Sequence, residues 1–359
     1  MSLRVLMTVD AVGGVWRYAM DLGAALAATG HRVAFAGQGP EPSPAQRAEA
    51  EATGELAWCD IPLDWMAERP DAIAGAGPWI DGLARRLGAD VLHLNSPTLA
   101  AELAPGGPPV LAVTHSCLAT WFAVVDRAPI PEPLCWQADL TAAGLRRADA
   151  ILAPSRAHAA ATEAAYGLSG IAVVPNGSRA PLLPPGGGSG AVALGRWWDK
   201  GKNGAVLDAA AEHAACAVTL IGATEAPDGQ RLEARHATLA GPLPYEQAMA
   251  RVAEAAIFVS PSIYEPFGLA ALEAARAGRP LLLSDIPVYR ELWDGVARFF
   301  DPASPAALAR ALDALAGAPG EREALGAAAQ ARAERLGTEQ QATAMAALYQ
   351  RLAAMQGVI

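Results

Sequence analysis

The chain has 359 residues, enough for two domains of ordinary size, and 52% of them are apolar, enough for two cores. A net charge of −10 excludes general nucleic-acid binding. Four cysteines (Cys59, Cys117, Cys135, Cys216) without CxxC spacing argue for a reducing cytoplasm and against structural zinc, and no apolar run reaches membrane-spanning length.

Residues 3–8 read as an apolar strand, and the stretch around them is too short in apolar residues for a signal peptide. Residues 10–14 (DAVGG) form a tight turn, 15–28 an amphipathic helix and 32–36 the next strand. This βαβ opening puts a glycine turn, Gly13 and Gly14, at a strand's carboxyl end, where open α/β sheets bind ligands. The turn lacks GxGxxG, so a dinucleotide fingerprint is absent. Residues 38–55 are polar and rich in Ala, Glu and Pro, and read as a surface loop and helix. Residues 90–95 (DVLHLN) and 110–115 (VLAVTH) are buried strands ending in polar side chains, among them His93, Asn95 and His115. Trp16 follows the glycine turn, and Trp121, Phe122 and Trp136 fall in 116–138. Such faces stack on ring-shaped ligands, although most Trp side chains are simply packed.

Strands at 148–155 and 171–176 complete the first half. Residues 178–190 (SRAPLLPPGGGSG) cannot form a regular element and read as a linker and hinge. The domains expected on either side are 1–180 and 181–337, followed by a helix in 338–359. The second half opens with a strand at 191–194 that runs into Gly195-Arg196-Trp197-Trp198-Asp199-Lys200-Gly201-Lys202-Asn203. Lys200 and Lys202 are the only lysines among 27 basic residues. Keeping a compact ammonium at one spot suits phosphate contact. Strands at 217–221, 237–240, 256–260, 281–284 and 298–300 alternate with helical runs, and 304–336 holds two Ala-rich helices.

Residues 261–274 (PSIYEPFGLAALEA) are the centre of the pattern. Pro266 is expected to fix the start of a helix over 267–277, with Gly278 as its stop. Glu265 stands before that helix and Glu273 inside it. A helix start offers unpaired N–H donors and partial positive charge, and Gly268 has no side chain to block approach. Two carboxylates beside a row of amides suit a polyhydroxylated anion such as a sugar nucleotide.

EPFGLAALE resembles the E-x7-E signature of retaining glycosyltransferases of the GT-B fold, family 4, and the flanking stretches extend the resemblance over most of the chain. It implies an α/β architecture of two Rossmann-like βαβ domains facing a central cleft, with the last helix crossing back to the first domain. It implies transfer of a sugar from a UDP- or GDP-sugar to a hydroxyl acceptor of unknown identity, without a metal or other cofactor. In its terms Glu273 holds the ribose, while Glu265, Phe267, Gly268 and Leu269 face the transferred sugar. Arg196 and Lys202 grip the diphosphate. Spacing and the following Asn favour Lys202 over Lys200, and the doubled Trp leaves that register open. His115 lies against donor sugar and diphosphate, Gly13 and Gly14 let the backbone approach the donor, and 241–246 (GPLPYE) lies near the base. Trp16, His93, Asn95 and Trp121 are acceptor-side expectations. The first domain has no lysines and more acids than arginines, so no membrane-docking face is evident. Two other readings remain: a sugar-nucleotide epimerase or hydrolase of the same fold, and a non-catalytic nucleotide-sugar binder.

Overall fold

The computed structural model describes residues 2–185, 188–226 and 229–356. In chain order the elements up to residue 177 are β1 (Arg4–Val9), α1 (Gly14–Ala28), β2 (Arg32–Gln38), α2 (Pro44–Glu51), β3 (Glu55–Cys59), α3 (Ala76–Leu87), β4 (Val91–Leu94), β5 (Val110–Val113), α4 (Leu118–Val124), α5 (Cys135–Arg147), β6 (Ala150–Ala153), α6 (Arg156–Tyr166) and β7 (Ala172–Val173). Then follow β8 (Ala191–Leu194), α7 (Gly204–Ala211), β9 (Val218–Ile221), β10 (Thr238–Gly241), α8 (Tyr245–Glu254), β11 (Ile257–Ser260), α9 (Leu269–Arg276), β12 (Leu281–Ser284), α10 (Pro287–Trp293), β13 (Arg298–Phe300), α11 (Pro305–Ala316), α12 (Pro319–Ala333) and α13 (Thr338–Gln356). Met1–Gly177 and Thr338–Ile359 form one compact unit, and Ser178–Gly337 forms the other.

The first unit holds a seven-stranded sheet in the order β3-β2-β1-β4-β5-β6-β7, and the second a six-stranded sheet in the order β10-β9-β8-β11-β12-β13. Every strand pair is parallel. The reason is in the sequence: VLHL, VLAV, IFVS and LLLS are buried along their whole length, so both faces must be covered by helices. In each sheet the strand order reverses once, between β1 and β4 and between β8 and β11. Ligands of open α/β sheets bind outside the carboxyl ends at such a reversal.

In the first unit Leu6, Leu92, Leu94 and Val110 pack against Ile80 and Leu83 of α3. The second core joins Ala193, Leu220 and Val259 to Leu207 of α7 and Leu308 and Leu312 of α11. α13 packs along α1 and reaches β4, burying Met345, Tyr349 and Leu352. All four cysteines are free, and no helix among the described residues is long and apolar enough to cross a membrane.

Three details differ from expectation. The helix within 38–55 is present, with a Ser43–Gln46 capping box, but an unforeseen strand, β3, follows and pairs with β2. Its half-buried residues show too little alternation to announce an edge strand. The change of unit falls at Gly177 rather than at 180. The Pro-rich stretch is not a free hinge, because it is strapped to the second unit: Arg276 Nε donates to Ala180 O at 2.5 Å, Gln330 Nε2 to Leu183 O at 2.6 Å and an Arg279 amino group to Pro184 O at 2.8 Å. Residues 186–187 of that stretch lie outside the described residues. Finally, α9 begins at Leu269, not behind Pro266. Gly268 is its cap at φ +90°, a conformation that L side chains resist, and this glycine overrides the proline as the start signal.

Candidate active site

In the second unit the chain leaves β8 through Gly195 and Arg196. Gly195 N donates to Ile221 O, and so does the Trp197 indole at 2.9 Å. Trp197 is buried in the core, which anchors this loop and leaves its neighbours at the sheet's edge. The Arg196 guanidinium lies over the Trp198 ring, 5.3 Å from its centre. A 3-10 turn then carries Lys200–Lys202, with the Asp199 carboxylate accepting from Gly201 N at 2.8 Å. Asn203, at φ +56°, donates from Nδ2 to Pro261 O and Pro302 O at 3.0 and 2.9 Å. Gly201 O accepts from Ile263 N and Tyr264 N. The loop after β8 is thereby tied to the loop after β11, across the reversal in strand order.

That tie brings Lys202 Nζ to 2.6 Å from Glu265 Oε2, with the two side chains 21% and 14% exposed. Lys200 is exposed, while Lys202 is the lysine that faces Glu265. No side chain caps the first turn of α9. A Cβ on Gly268 would come within 2.8 Å of the Tyr289 ring and 3.4 Å of Glu265 Cγ, so this approach is open only to glycine. Tyr289 is buried, its hydroxyl 2.5 Å from Ser260 Oγ, and burial together with the Glu265 charge pushes its pKa up. One turn into α9, Glu273 is 6% exposed and accepts a hydrogen bond from the Tyr245 hydroxyl at 3.0 Å. Phe267 contributes only backbone here, because its side chain is buried.

The corresponding edge of the first unit is built differently. Gly13 and Gly14 begin α1, and Val12 N donates to Asp10 Oδ1 at 2.9 Å in the turn before it. Beyond β4 and β5 stand Asn95 and His115, with His115 Nε2 2.8 Å from Asn95 Oδ1 and its ring edge-on to Tyr18 at 4.4 Å. Burial, then His93 and His158, lowers the His115 pKa to about 3, so the ring is neutral.

Two acceptor-side expectations fail. His93 is fully buried and spends its ring on Tyr349 and Asn95; a histidine in a strand of apolar neighbours is a core residue here. Trp16 is 5% exposed and donates to Glu49 Oε2, which makes it packing rather than a stacking face. Asn95 is nearly buried, while Trp121 is half-buried and edge-on to Phe122. The sequence reading missed Tyr245, Tyr289, Tyr18 and Tyr349. Only Tyr245 carried a signal, since it lies in the GPLPYE loop.

Among the described residues no cluster of three His, Cys, Asp or Glu could hold a metal ion. The second unit's edge thus offers fixed cations, helix-start amides and a nearly buried carboxylate. The first offers a neutral amide and imidazole beyond β4 and β5, with the Asp10 carboxylate in its glycine turn.

Comparison with known proteins matches the two units separately. The family description "Glycosyltransferase Family 4" matches residues 12–178, and "Glycosyl transferases group 1" matches 207–332. A D-inositol 3-phosphate glycosyltransferase of Streptomyces griseus is 40% identical over 99 residues, 26% of this chain and 21% of that protein. The matched stretch therefore spans only about a fifth of that relative's length. Sucrose-phosphate synthase from Thermosynechococcus elongatus superposes with a TM-score of 0.79 at 19% identity, over 98% of this chain and 100% of that one. Anabaena HepE in complex with UDP and glucose gives 0.74 at 15% identity, over 97% and 100%. Two family matches in succession, on two units that each hold a parallel sheet covered by helices, make this chain a member of the family 4, group 1 glycosyltransferases, with the GT-B fold.

Proposed function

We propose that the protein moves a glycosyl group from a UDP- or GDP-sugar to a hydroxyl acceptor, with retention at the anomeric carbon and without a metal ion. The supporting observation is the Lys202–Glu265 contact across the strand reversal of the second unit, beside the glycine-capped start of α9. Transfer breaks the bond between the anomeric carbon and the diphosphate, and negative charge grows on the departing oxygen. Arg196, Lys202 and the first amides of α9 stabilise it, already in place before reaction. Lys202 has three N–H donors, so contact with Glu265 leaves capacity for phosphate oxygens. Glu273 binds the ribose: a carboxylate has about four lone-pair sites, enough for a ribose hydroxyl beside Tyr245. Glu265 is engaged by an ammonium and serves as a sugar and lysine ligand rather than as a nucleophile. The acceptor oxygen bonds to the anomeric carbon on the face the diphosphate leaves, and its proton passes to the departing phosphate. HepE, whose structure holds UDP and glucose, supports a nucleotide-sugar donor by analogy of fold. Four free thiols are in keeping with a reducing compartment such as the cytoplasm.

The experiment is a thermal-shift screen against UDP-, GDP- and ADP-sugars, followed by turnover with the stabilising donor. Transfer in the presence of EDTA, with the anomeric configuration kept, is the expected result. Isomer or free sugar from donor alone would indicate an epimerase or hydrolase. Binding without any turnover would indicate a sensor.

A further inference from the structure

Asn95 stands between two imidazoles and can face only one way. Its Nδ2 lies 2.6 Å from Thr8 O. A backbone carbonyl cannot donate, so the amide nitrogen points there and Oδ1 points at the rings. Oδ1 is 3.0 Å from His93 Nε2 and 2.8 Å from His115 Nε2. An unprotonated nitrogen at either place would set lone pair against lone pair, so both Nε2 atoms carry hydrogen. Burial lowers the pKa of His93 to about 4 and of His115 to about 3, so both rings are neutral and hold their lone pair on Nδ1.

For His93 that lone pair is used. Tyr349 of α13, 256 positions later in the chain, brings its hydroxyl to 2.5 Å from Nδ1. Burial keeps the phenol protonated, so it donates. The Tyr18 hydroxyl, 3.4 Å from His93 Nε2, takes a minor share of that N–H. For His115, Nδ1 has no protein partner among the described residues, and the ring is partly exposed beyond β5. The titratable groups around it are Tyr18 of α1, His93 of β4 and His158 of α6, and none is charged near neutrality.

We infer that Asn95, backed by His93 and Tyr349, is a positioning residue that locks His115 in the Nε2–H tautomer, so that His115 accepts a hydrogen bond from a substrate hydroxyl through Nδ1 and donates none to a phosphate. The word substrate rests on the transfer reading above; the locked tautomer does not. The last helix thus takes part in preparing a ring that it does not touch.

The test reads the tautomer first, without substrate. Long-range 1H–15N spectra of the labelled full chain at pH 7, with His115 assigned through His115→Gln, should show neutral Nε2–H rings for His93 and His115. An Nδ1–H or doubly protonated His115 overturns the proposal, whatever the enzyme's activity. Asn95→Asp puts a carboxylate against both Nε2 atoms and should charge His115 at pH 7. Turnover should then fall roughly three- to tenfold, the range of one neutral hydrogen bond, and recover as pH rises. Unchanged protonation or turnover counts against it. Tyr349→Phe keeps the ring volume and provides the check if Asn95→Asp does not fold. It should keep His93 as the Nε2–H tautomer but shift its Nδ1 resonance and lower kcat with the donor KM unmoved, and an unchanged kcat removes the helix from the relay.

Discussion

The two sheets present opposite chemistry at equivalent places. Beyond β8 and β11 stand ions: Arg196 over an indole and Lys202 against Glu265. Beyond β4 and β5 stand neutral groups, the Asn95 amide and the His115 imidazole, its pKa held below the ordinary value. The same strand order carries charged side chains at one edge and neutral ones at the other, as the proposed division between an anionic donor and a hydroxyl acceptor requires. The difference lies in which residues follow the strands rather than in the fold.

The contrast can be broken most severely at Lys202. Lys202→Met should lower kcat about a hundred- to a thousandfold, the cost of a lost transition-state donor, with little change in Tm. Turnover within a few fold of the parent would remove the charged edge from the mechanism. Acid sharpens the contrast next. His93 and His158 stay neutral when folded down to about pH 4, but titrate near 6.5 once unfolded. The unfolded chain therefore binds protons first. Stability is intact above about pH 6.5, falls as pH drops toward 4 and levels below. Each ring costs about 2 kcal/mol at pH 5. Denaturant titrations at pH 7 and 5 should show this loss in the first unit, and His93→Gln should reduce it.

A smaller effect is expected at the helix start. Gly268→Ala places a side chain at φ +90° and 2.8 Å from the Tyr289 ring. It should cost about 1–2 kcal/mol from the backbone alone, seen as a lower Tm, and should weaken nucleotide binding. Least affected should be Tyr245→Phe, which frees Glu273 of one neutral donor. The loss of about 0.5–1.5 kcal/mol should appear in donor KM with kcat kept. A fall in kcat instead would place Tyr245 nearer the reaction than Glu273 is.

Much of this was legible because parallel strands buried on both faces read as plain apolar runs, and because the charged loop follows a strand within a few residues. Glu265, Gly268 and Glu273 lie within one short stretch, so their convergence is local. The tyrosines were not legible: Tyr349 meets His93 across 256 positions, and no spacing rule reaches that far. His93 and Trp16 misled for the same reason, since the burial that decides their roles is tertiary. Pro266 misled differently. It is a sound helix opener by local rule, but the left-handed backbone at Gly268 moved the start of α9 past it.

The return of α13 to the first unit has a consequence for how the protein is born. Residues 178–337 are contiguous and can condense as soon as they have left the ribosome. The earlier half waits, with Tyr18 and His93 lacking their lid, until the segment beyond 337 emerges. The part translated first is thus the last to be finished.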